Sequence, residues 1–76
     1  MIVIIQCKDR VGLVADISRI LSEAELNIVS MREHVDKAES RFFMRLEVDG
    51  TAEELQLKDQ MEQILPEGAI IHVNPV

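Results

Sequence analysis

The feature that most limits the folds open to this chain is a change of hydrophobic period at Gly12. Before it, Met1 to Ile5 form an unbroken apolar run, with Met1, Val3 and Ile5 on one parity and Ile2 and Ile4 on the other. Apolar residues on both parities predict a central strand, residues 1–7, covered on both faces. After it, Leu13, Ile17, Ile20, Leu21 and Ala24 recur at three and four residues, which predicts a helix over 12–24 with one buried stripe. Asp16, Arg19, Ser22 and Glu23 fall on its outer side, where Asp16 and Arg19 can pair. The polar turn between, 8–11, leads into a helix start whose first N–H groups lack internal partners. Asp9 either caps these donors or contacts a ligand, and Gly12 either packs or admits a ligand to the backbone.

The rest of the chain alternates in the same way. Glu25 stands at the expected helix stop, and Asn27 opens a second strand over 27–35. Val29, Met31 and Val35 are expected on one side of it, and Ser30, Arg32 and His34 on the other, as befits an edge strand. A hairpin loop over 36–40 joins it to a third strand, where Phe42, Met44, Leu46 and Val48 alternate with Arg41, Phe43, Arg45 and Glu47. Thr51 and Glu54 have the spacing of a capping box. The helix after it runs to about residue 65, with Leu57, Met61, Ile64 and Leu65 buried. Pro66-Glu67-Gly68 breaks the helix, residues 69–73 form a fourth strand, and Asn74-Pro75-Val76 leaves the fold.

The element order β-α-β-β-α-β predicts an α+β ferredoxin-like sandwich over residues 1–76 as a single domain. It has a four-stranded antiparallel sheet in the order 4-1-3-2 and two helices on one face. Strand two is then an edge with backbone groups free for a partner.

Composition removes several functions that such a plan can host. The chain carries 14 acidic and 8 basic residues, a net charge of −6, which argues against nucleic acid and against an anionic membrane surface. Its longest apolar run is too short to span a membrane, so a soluble, cytoplasmic protein is expected. One cysteine, Cys7, excludes an intrachain disulfide, and Cys7 with His34 and His72 makes no metal-ligand pattern. No nucleophile-base pair is apparent, so no catalytic residue, metal or cofactor is expected and the chain is not an enzyme by itself. Arg41 and Arg45 either bind an anion or pair with Glu33 or Glu47.

Cys7-Lys8-Asp9-Arg10-Val11-Gly12-Leu13-Val14, Leu26-Asn27-Ile28-Val29-Ser30, His34-Val35-Asp36 and Arg41-Phe42-Phe43-Met44-Arg45 carry a family resemblance across essentially the whole chain. The sequence resembles the ACT domain family of small-molecule-binding regulatory modules, and within it the amino-terminal domains of formyltetrahydrofolate deformylases. The resemblance implies a homodimer paired side by side through strand two and the first helix, with Val29 and Met31 at the interface. It also implies an amino-acid effector such as glycine or methionine. Asp9 would receive the effector's ammonium, main-chain donors at Val11 and Gly12 its carboxylate, and Asn27 would hold it across the dimer. The chain departs from the family at Val11, where proline is frequent, and at Glu25, where glycine is frequent. The second departure places a side chain beside the implied ligand. The alternatives are a pairing module that binds nothing and an isolated front part of a formyltetrahydrofolate hydrolase.

Overall fold

The computed structural model describes residues 1–75, so the expected exit of Val76 from the fold lies outside the described residues. The elements are β1 (Ile2–Lys8), α1 (Leu13–Glu23), β2 (Asn27–Asp36), β3 (Arg41–Asp49), α2 (Glu54–Ile64) and β4 (Ile70–Asn74). They form one antiparallel sheet in the order β2-β3-β1-β4, the predicted 4-1-3-2 arrangement.

Alternation along β1 and β3 builds the core. Val3, Ile5 and Cys7 of β1 and Phe42, Met44, Leu46 and Val48 of β3 are buried on one face. Leu13, Ile17, Ile20 and Leu21 of α1 and Leu57 and Met61 of α2 close over them. This apolar cluster is the fold's main source of stability, at about 25 cal/mol per Å² of apolar surface removed from water. Only one face of the sheet is covered. The prediction that β1 is covered on both faces is therefore corrected: Ile2 and Ile4 lie half-buried on the open face, sheltered by neighbouring side chains and by no second layer.

Two predicted caps are also corrected. Asp9 does not cap α1. The N-cap is Gly12, with φ 88° and no side-chain hydrogen bond, while the Asp9 N–H donates to the Ser40 carbonyl at 2.8 Å. At α2 the cap is Glu53 rather than Thr51. Its carboxylate accepts from the N–H groups of Leu55 (3.3 Å) and Gln56 (2.9 Å), placing negative charge at the positive end of the helix dipole.

The exit of α1 is a Schellman motif. The Leu26 N–H donates to the Leu21 carbonyl (2.9 Å) and the Glu25 N–H to the Ser22 carbonyl (3.0 Å). The motif needs a left-handed residue between them, and Glu25 takes that conformation with φ 59°. In β2 the ladder slips between Ile28 and Ser30, leaving Val29 as the extra residue of a bulge. The simple alternation expected of Val29, Met31 and Val35 is broken there: Met31 and Val35 lie opposite buried Leu46 and Phe42, and Val29 stands outside the ladder.

Candidate functional site

Three of the four implied ligand contacts come together at the carboxyl end of β1. Asp9, Val11 and Gly12 occupy the turn into α1 and all three are exposed, Val11 at 97%. The glycine N-cap supplies no side-chain oxygen, so the first-turn N–H groups of α1 face the turn without a side-chain acceptor. A β-carbon on Gly12 would meet nothing nearer than the Arg10 guanidinium, at 3.7 Å. The space over this glycine is therefore open, and its left-handed φ of 88° is the stronger reason for its having no side chain.

Arg10 braces this turn. Its guanidinium donates to the Val11 carbonyl (3.0 Å), to Asp16 (3.0 Å) and to the Ile64 carbonyl at the end of α2 (2.9 Å). Asp16 also accepts from Arg19 at 3.2 Å, the pair expected from the helix spacing. The sequence reading assigned Arg10 no role. Its anchor lies 54 residues away along the chain, and no local pattern signals such a contact.

Asn27 is elsewhere. It begins β2 opposite Asp49, at the far end of α1 from Gly12. The 11 residues of α1 put about 16 Å between these ends at 1.5 Å per residue. Within one chain, then, the four residues do not form one site. Beside Asn27 lies an open groove of about 390 Å³ lined by Ser18, Ser22, Glu25, Leu26, Asn27 and Ile28. Gly50 packs against the Glu25-Leu26 corner: a β-carbon there would lie 2.8 Å from Leu26 Cδ2 and 3.1 Å from the Glu25 carbonyl oxygen. This close approach was not anticipated, because the contact joins the end of β3 to the α1–β2 corner.

The edge of the sheet connects the two places. Among the described residues no strand pairs with the outer side of β2, and Val29 (52%), Met31 (44%) and Val35 (36%) are exposed along it. Cys7, by contrast, is fully buried. Loss of solvent raises its thiol pKa above the ordinary value of 9.0, against the lowering pull of Arg41 and Arg10, so it is an inert packing residue. Among the described residues no group of three or more His, Cys, Asp or Glu could hold a metal ion, and no helix is long and apolar enough to cross a membrane.

Residues 1–66 match the family model of the ACT domain. The chain belongs to the ACT domain family. It is 42% identical over 69 residues to formyltetrahydrofolate deformylase of Escherichia coli (strain K12), a match covering 91% of this chain and 25% of that protein. This ACT domain thus spans about a quarter of the length of the curated relatives it matches. Its fold superposes on a formyltetrahydrofolate deformylase from Pseudomonas putida KT2440 with a TM-score of 0.81 at 20% identity, covering 97% of this chain and 28% of that one. It also superposes on an ACT domain protein from Streptococcus pneumoniae with a TM-score of 0.70 at 25% identity, covering 92% of this chain and 81% of that one.

Proposed function

We propose that this ACT domain is a cytoplasmic regulatory module that pairs with a second copy through β2 and binds a small amino acid, such as glycine or methionine, at the shared edge. The observation that carries this reading is the unpaired β2 edge with Val29, Met31 and Val35 exposed along it. A two-fold axis beside β2 runs the two edges antiparallel. The Gly12 end of one copy then approaches the Asn27 end of the other, which accounts for implied contacts lying about 16 Å apart within each chain. In that arrangement the open N-terminus of α1 takes the effector's carboxylate, Asp9 its ammonium, and the partner copy's Asn27 bridges the two.

The test is light scattering followed by calorimetric titration with glycine and methionine. A dimer that binds one of them, with binding lost in Gly12→Leu and Asn27→Ala, supports the reading. A folded monomer that binds neither overturns it. A second reading, pairing without an effector, is favoured by Glu25, which lines the groove beside Asn27. It predicts a dimer with no heat from either amino acid. The deformylase relatives carry the domain within chains about four times longer, so the same module would there sit beside a catalytic domain acting on formyltetrahydrofolate. The mass of the native product distinguishes that case from a free-standing regulator.

A further inference from the structure

The sheet's open face holds a second feature, independent of the effector reading. Strand register places His34, Phe43 and Gln6 in one row across this face and Arg32, Arg45 and Ile4 in the next. Arg32 and Arg45 are directly opposed across β2 and β3. Like charges in that position repel. Neither guanidinium has an ion-pair partner within 4.0 Å among the described residues, whereas Arg10 and Arg19 both do. The two partners expected from sequence do not serve: Glu33 points to the helix side opposite Met44, and Glu47, on the open face, forms no bridge with either arginine. In a chain of net charge −6, two opposed cations without ion-pair partners among the described residues, beside an apolar floor, are suited to taking up an anion.

The floor is apolar. Ile4 and Phe43 lie half-buried below the arginines, and the His34 ring stacks on Phe43 with centroids 6.1 Å apart and planes at 29°. Together these residues line an open cleft of about 230 Å³, whose lining also includes one acidic residue, Glu33, on the opposite strand parity from Arg32 and His34. Drug-sized ligands occupy about 300–1,000 Å³, so this cleft suits a smaller body.

We propose that the cleft binds a small organic anion, an aryl or branched-alkyl carboxylate. The carboxylate bridges the Arg32 and Arg45 guanidiniums, which present forked donors that match its two oxygens. The apolar body lies over Ile4 and Phe43 and shares the face of the His34 ring. The site differs from the effector site in place and in recognition: it lies on the sheet face turned away from the helices, and it uses no ammonium acceptor.

The experiment is a two-dimensional amide NMR titration of the whole chain at low salt, with phenylacetate, its neutral amide phenylacetamide, and acetate as probes. Phenylacetate should shift the amides of Arg32, Phe43 and Arg45 saturably, with a dissociation constant of about 1 mM, as befits ten non-hydrogen atoms on an open face. Phenylacetamide and acetate should each bind at least about tenfold more weakly, since each lacks one half of the recognition. Arg32→Gln and Arg45→Gln should each lose the shifts while keeping a folded spectrum, because both side chains are exposed. Equal binding of phenylacetamide, shifts centred on Asp9, Gly12 and Asn27, unchanged binding in both arginine variants, or no shift at about 20 mM phenylacetate would each overturn the proposal.

Discussion

Glu25 is the residue most at odds with its backbone. It completes the Schellman exit of α1 in a left-handed conformation, which costs an L-residue about 1–2 kcal/mol. Glycine adopts the same angles freely but loses more entropy on folding, by about 0.5–1 kcal/mol. Glu25→Gly should therefore stabilise the domain by up to about 1 kcal/mol, a rise in Tm of several degrees by calorimetry. It also clears the groove beside Asn27, so any effector affinity should rise with it. Gly50 is the opposite case. Its φ is 128°, and a β-carbon there would lie 2.8 Å from Leu26 Cδ2 and 3.1 Å from the Glu25 carbonyl oxygen, so a methyl group would force the corner to shift. Gly50→Ala should destabilise by about 1–3 kcal/mol in urea unfolding, and an unchanged midpoint would show that the β3 end yields easily.

At the scale of elements, the two helices begin differently because their caps do different jobs. At the α2 start the Glu53 carboxylate occupies the N–H groups of Leu55 and Gln56. Glu53→Ala should cost about 1 kcal/mol, read from the denaturation midpoint, with no effect on effector binding. The α1 start is capped by glycine and held by Arg10, so its donors stay available at the price of a weaker helix end. The strands divide likewise. β1 and β3 each have two neighbours and carry the core, while β2 spends its apolar residues on an edge.

For the whole molecule, 76 residues bury only about 60% of the surface of the unfolded chain, which leaves a small domain marginal when alone. Covering the β2 edge adds stability by mass action. The Tm of the domain should therefore rise with protein concentration. Met31→Lys, at a position 44% exposed beside the edge, should abolish that dependence and give monomers by light scattering. A Tm independent of concentration in the unsubstituted protein would count against pairing through β2.

The periods of two and near four, read along the chain, by themselves determined the six elements, their order, the buried faces of β3 and both helices, and hence the strand order. Those features depend on local alternation and on the few ways short connections can be laid down. Asp9, Val11, Gly12 and Asn27 were likewise legible as residues on the turn and at the strand start. Only the tertiary structure decided that Asn27 stands a helix length from the other three, that Gly50 seals the corner at Leu26, and that Arg10 reaches the end of α2. It alone decided that the second apolar parity of β1 floors an open face beneath two opposed arginines. Each of these is a contact between residues distant in sequence. Such contacts follow from how the elements stack, and no local pattern of side chains encodes that stacking.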